Sequence, residues 1–138
     1  MSLIDAKRAL SDAVLDVCAA NSIPVVRENT QRPDGDGGTK WARQFYRANV
    51  PQAFTLGVGG EDKANGFCQL DICYPAGDGD ADADSDLELF RAALNRKTFT
   101  HDGQYVKVMS CGAPRRALED STWFVMTINI NWEALVRV

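Results

Sequence analysis

Little in this chain invites catalysis. Among its 138 residues there is one histidine, His101, and it stands directly before the turn pair Asp102-Gly103. No Ser or Cys signature accompanies it, so it reads as a turn-flanking surface residue rather than a base. The patterns G-x-S-x-G, H-E-x-x-H and G-x-x-x-x-G-K-[ST] are absent. Gly57-Val-Gly59-Gly60 lacks the third glycine of a dinucleotide loop and the helix that should follow. No catalytic residue, resident metal or cofactor is expected, and the chain is read as a non-enzyme.

Other absences narrow the class further. No apolar run approaches the ~20 residues a membrane span needs, so no membrane partner is expected. The start, Met1 to Lys7, has no basic segment followed by an apolar block, which argues against a signal peptide and for a reducing compartment. There is no basic surplus: 19 acidic residues face 15 basic ones, for a net charge of −4. That balance argues against a phosphate-gripping nucleic-acid binder. The four cysteines, Cys18, Cys68, Cys73 and Cys111, form no C-x-x-C pair and read as small buried thiols.

What is present is ordinary globular patterning. Hydrophobic residues make up 45% and charged residues 25%, which suits one domain over 1–138 with a real core. Leu3, Ala6, Leu10, Val14 and Val17 recur at helical spacing, and Pro24 cannot continue that helix past Asn21-Ser22. Ile23 to Val26 reads as a short strand, at an edge or a strand start because of the proline. Residues 27–40 read as a long polar loop, with Arg32, Asp34 and Asp36 at its centre. Trp41 to Ala48 is expected as a strand with Trp41, Arg43, Phe45 and Arg47 on one face. A second loop is expected over 50–64, glycine-rich yet carrying Phe54, Leu56 and Val58. Gly66 to Tyr74 reads as a strand closed by Pro75.

An alternating acidic stretch follows, Asp78, Asp80, Asp82, Asp84 and Asp86. Counted as a calcium loop from Asp78, it has Ala83 where glycine is required and Leu89 where glutamate is required. It therefore reads as a charged lead-in to a second helix, with Ser85-x-x-Glu88 as a capping box and Leu87, Phe90 and Leu94 on the buried side. An ion- or ligand-binding module using Asp78–Asp86 is the alternative reading. Thr98 to Ser110 is expected as a hairpin turning at Asp102-Gly103. Thr122 to Trp132 is the longest expected strand. Phe124, Met126, Ile128, Ile130 and Trp132 lie on one face, and Trp123, Val125, Thr127 and Asn129 on the other. The order α-β-β-β-α-β-β-β predicts an α+β fold: a largely antiparallel, mixed sheet with two helices on one face.

Three segments taken together carry a family resemblance. They are Trp41-Ala-Arg43 opening a strand, the run from Thr55 through Gly59-Gly60 to Asp62, and the strand from Gly66 that ends Tyr74-Pro75-Ala-Gly77. With the leading helix and the closing strand to Trp132, the chain resembles the tail terminator-like proteins of long-tailed bacteriophages over roughly residues 3–132. Its aspartate-rich second-helix lead-in departs from the alanine expected there. The resemblance implies a structural virion protein. Such a protein forms a ring, usually of six subunits, that caps the tail tube, ends tube polymerisation and offers a surface to the head connector. It implies assembly in the bacterial host cytoplasm and residence at the head-proximal end of the tail. Implied partners are copies of itself, the tail tube protein and the head-tail connector protein. DNA only passes through the lumen, without specific binding, and acidic walls would ease that passage.

Residue-level expectations complete this reading. A ring needs a contact between unlike patches of neighbouring subunits. Trp41, Arg43, Phe45, Arg47, Trp123 and Val125 are the candidates, as the sheet face the helices leave free. The loop carrying Gln52, Phe54, Leu56, Val58, Glu61, Asp62 and Lys63 is the candidate contact with the tube or a neighbouring subunit. Apolar side chains in a glycine-rich segment are better ordered on a partner than alone.

Overall fold

A computed structural model of the chain describes residues 3–26, 40–49, 51–53, 60–75, 81–112 and 123–137. The elements run α1 (Leu3–Ala20), β1 (Val25–Val26), β2 (Trp41–Ala48), β3 (Gln52–Ala53), β4 (Glu61–Pro75), α2 (Ala81–Leu94), β5 (Thr98–His101), β6 (Gln104–Gly112) and β7 (Trp123–Arg137). The fold is the expected α+β arrangement in the expected order, with the two-residue β3 added. The strands pair in the order β1-β2-β4-β7-β6-β5, and β3 pairs with the far end of β4. Among the described residues only β1 runs parallel to its neighbour; the other pairings are antiparallel. That makes the sheet mixed, with Pro24 placed at its edge as proline requires.

β4 and β7 form the spine of the sheet. Each is 15 residues long, and they pair in one unbroken register from Glu61↔Arg137 to Pro75↔Trp123. β6 joins β7 through a register shift between Val108 and Ser110. Met109 sits at that irregularity and is exposed. The β5–β6 hairpin turns at Asp102 and Gly103, both with positive φ (49° and 79°), the signature of a tight two-residue turn.

Strand parity divides the sheet into two faces. Even-numbered residues of β4 and β7 point inward: Cys68, Leu70, Ile72 and Tyr74 from one, Met126, Ile128, Ile130 and Trp132 from the other. Val106 and Val108 join them from β6. Both helices cover this face, α1 against β5 and β6 and α2 against β6. α1 contributes Ala6, Leu10, Val14 and Cys18, spaced four apart, and α2 contributes Phe90 and Leu94. Leu3 and Val17 belong less to this stripe than their spacing predicts: Leu3 is exposed, and Cys18 takes the buried place beside a half-buried Val17. All four cysteines are buried free thiols, as expected. Cys18 is pushed up to about 12, first by burial and then by the charge of Asp86.

Both helices end on a non-glycine residue in the left-handed region, Ser22 (φ 57°) after α1 and Arg96 (φ 59°) after α2. The α1 end is secured by Ile23 N–H donating to Cys18 O (2.9 Å) and Asn21 Nδ2 donating to Val17 O (2.8 Å). The α2 end is tied to the sheet. Arg91 Nε donates to Cys111 O (3.1 Å), and Cys111 N donates to Asn95 Oδ1 (3.0 Å).

Three boundaries differ from expectation. β4 starts at Glu61 rather than Gly66, and Gln52–Ala53 pairs with Lys63–Asp62, so the expected 50–64 loop is strand at both ends. β7 continues five residues past Trp132, because Glu133–Arg137 has that added length of β4 as its partner. α2 begins at Ala81, which puts Ser85 inside the helix and removes its role as an N-cap. Residues 54–59, with Phe54, Leu56 and Val58, and the loop positions Arg32, Asp34 and Asp36 lie outside the described residues.

Candidate functional site: the open face of the sheet

Odd-numbered residues of β2, β4 and β7 face away from the helices. Because the register is continuous across these strands, the residues line up in rows. Trp41 pairs with Cys73 and Cys73 with Val125; Arg43 with Asp71 and Asp71 with Thr127. Phe45, Gln69 and Asn129 follow, and then Arg47, Phe67 and Asn131. The structure thus brings Trp41, Arg43, Phe45, Arg47 and Val125 onto one surface. Trp123 enters the same ladder at its end, opposite Pro75.

The centre of this surface is polar and tightly bonded. Asp71 is only 7% exposed although no helix covers it. Its Oδ1 accepts from Thr127 Oγ1 (2.8 Å) and from Gln69 Nε2 (3.0 Å), and its Oδ2 faces Arg43 Nη2 at 3.5 Å. The Arg43 guanidinium also lies 5.6 Å from the Trp41 ring centroid, within cation–π range. The indole ring and the Asp71 carboxylate together restrict an arginine that would otherwise sweep through water. Arg43 Nε and Asn129 Oδ1 are buried with no hydrogen-bond partner among the described residues. Around this centre Phe45 is half-buried and Phe67 is 38% exposed. Aromatic side chains and an arginine around a largely bonded polar centre are the residue types enriched in protein-binding patches.

Phe67, Gln69 and Asp71 belong to this face and were absent from the expected interface. Strand alternation alone places them there; what the sequence could not supply is which strand lies beside them. Of the expected contact loop, Glu61, Asp62 and Lys63 stand on β4. Lys63 Nζ reaches Glu133 Oε2 at 3.6 Å, a tie between the two long strands.

Among the described residues, the acids of the alternating stretch do not form one ligand set. Asp82, Asp84 and Asp86 lie on α2, where residues two apart point to nearly opposite sides. Asp86 turns inward and is 7% exposed. It accepts from Tyr74 Oη (2.7 Å) and from Lys40 Nζ (3.0 Å). The residue that leads into β2 is thereby fastened to α2. Burial and the neighbouring Asp86 hold the Tyr74 hydroxyl well above the usual phenol range. Asp78 and Asp80 lie outside the described residues. Asp86 serves as an internal structural anchor, which takes that residue out of an Asp78–Asp86 ion module.

Comparisons with known proteins point the same way as the surface. The family described as phage tail terminator protein matches residues 5–132. A solved structure whose name states no function superposes with a TM-score of 0.65 at 20% identity, covering 100% of this chain and 97% of that one. At that identity it attests the fold alone. No curated protein matches the sequence.

Proposed function

This chain belongs to the phage tail terminator family, and from that premise we propose that it closes the head-proximal end of a tail tube as a ring of identical subunits, six in the completed ring. A phage tail structural role follows from the family itself. The ring, its tube-capping action and its head-connector surface are the finer reading.

The observation that carries the ring is the helix-free sheet face. A lone subunit would leave Phe45 and Phe67 in water beside buried polar atoms without partners, and covering them favours association. Trp41, Arg43, Phe45, Arg47, Trp123 and Val125, extended by Phe67, form the patch that packs on a different patch of the next subunit. The segment from Gln52 to Lys63 docks on the last ring of the tail tube protein. The opposite rim of the ring receives the head-tail connector protein, and DNA traverses the lumen without specific contacts.

The test is mass in solution. The wild-type chain, alone or with its tube protein, is expected by light scattering to form a species several times 15.1 kDa. The double variant Phe45→Asp, Phe67→Asp is expected to stay monomeric with an unchanged circular dichroism spectrum, since both side chains point away from the core. A variant that assembles as the wild type does would place the interface elsewhere.

A further inference from the structure

We propose that Asp5, His101 and Asp102 form a site for one divalent transition-metal ion of the zinc type, which clips α1 to the β5–β6 turn. One ligand atom from each of these residues lies within 4.8 Å of the others. Two donors bound to one zinc at about 2.0–2.2 Å stand at most about 4.4 Å apart, so small rotamer changes close the set. The donors come from two elements, α1 and the β5–β6 hairpin, which pack against each other. Asp5 sits in the first turn of α1. His101 ends β5, opposite Gln104. Asp102 is held at φ 49° by the turn, which keeps its carboxylate beside the imidazole.

The histidine is oriented on both sides. Its Nε2 is 3.5 Å from Asp102 Oδ2, and its Nδ1 is 4.0 Å from Asp12 Oδ2, about two turns beyond Asp5 on the same face of α1. A metal-bound imidazole characteristically offers its second N–H to an outer carboxylate, and Asp12 is the acid on that side, a small side-chain movement from hydrogen-bond range. Three carboxylates around one imidazole also leave the spot anionic whether or not the ring is protonated. A dication bound there meets that charge directly. One nitrogen with two carboxylate oxygens suits zinc, cobalt or nickel. Calcium and magnesium prefer sets made wholly of oxygen. Water fills the remaining coordination position.

The site is independent of subunit assembly, and its test reads the ion directly. Metal-free protein is titrated with zinc by calorimetry, and with cobalt by visible absorption. One equivalent is expected to bind, with cobalt d–d bands, and magnesium at least 100-fold more weakly. His101→Ala and Asp5→Asn are each expected to weaken zinc at least 10-fold, and Asp12→Asn less than either. Asp84→Asn, on the exposed acidic side of α2, leaves binding unchanged. If His101→Ala fails to fold, Asp5→Asn and Asp102→Asn decide the matter. Zinc that fails to bind at millimolar concentration would overturn the site. So would binding indifferent to these substitutions, or lost equally in Asp84→Asn.

Discussion

Asp71 and Asp86 show how one residue type serves opposite purposes according to the face of its element on which it falls. Asp71 falls on the odd side of β4 and organises the open face through Thr127, Gln69 and Arg43. Asp86 falls on the inward side of α2 and accepts from Tyr74 and Lys40. Each is a buried acid made tolerable by donors, and neither is spare for chemistry. The buried acidic groups that bear on pH are instead the thiols and phenols. Burial raises Cys18 from 9.0 to about 12. Cys111 rises from 9.0 to about 11 by burial, against the opposing pull of Arg91. Burial also raises Tyr46 and Tyr74 above 10.0. All four hold their protons more tightly folded than unfolded. Their stabilisation is therefore complete below pH 9 and is lost as pH climbs toward the folded values. Each titrating thiol removes about 1.4 kcal/mol per pH unit across that window. Chemical denaturation at stepped pH is expected to give a flat stability from pH 7 to 8.5 and a steep fall above 9.5. The same thiols are expected to resist alkylation at pH 8 until the chain is unfolded.

At the level of elements, alternation and helical spacing were legible where side chains carried the signal. The core residues of α2, the faces of β4 and β7, the two-residue turn at Asp102-Gly103 and the edge position of Pro24 all follow from local chemistry. The ends of strands did not. Glu61 to Ala64 is polar and small, with nothing to mark a strand; it is extended because Ala134–Arg137 and β3 supply its ladder bonds. Ser85 likewise advertises a cap, yet α2 runs back to Ala81. The candidate face was half legible: Trp41 to Arg47 alternate visibly, whereas Phe67, Gln69 and Asp71 join them only once β2 is known to lie against β4. That junction has a tight point. At Gly66, opposite Ala48, a Cβ would run into the Arg47 carbonyl oxygen and come within 2.9 Å of the Ala48 Cα. Both obstacles are backbone, so the strands themselves must part. Gly66→Ala is expected to cost about 1–3 kcal/mol in urea denaturation. Met109→Ala, at the exposed irregularity of β6, should cost under about 0.5.

At the scale of the whole molecule, the two described helices occupy one side of the sheet. The chain is a 138-residue structural piece of a phage tail, and its proposed partners meet it in two ways. Copies of itself meet the open face, and the tube meets the 50–64 segment. These contacts separate experimentally. Phe54→Asp with Leu56→Asp is expected to leave the subunit's own assembly intact. Tails built with that pair should nonetheless lose their uniform length by electron microscopy, because the tube end is no longer sealed. Tails of normal, uniform length would remove the segment from the tube contact. Charge bears on association as well: a net −4 is expected to slow clustering of subunits at low salt, and added salt to promote it, as light scattering across a salt series would show.

The unbroken pairing of β4 with β7 has an evolutionary corollary. Inside and outside are printed on the same two ribbons, one on the even numbers and the other on the odd. Substitutions can therefore retune either side separately, but a one-residue insertion or deletion midway along either ribbon inverts both together. Descendants of such a protein can drift far in composition while the spacing along these ribbons stays frozen. Length changes should accumulate in the connections between them instead.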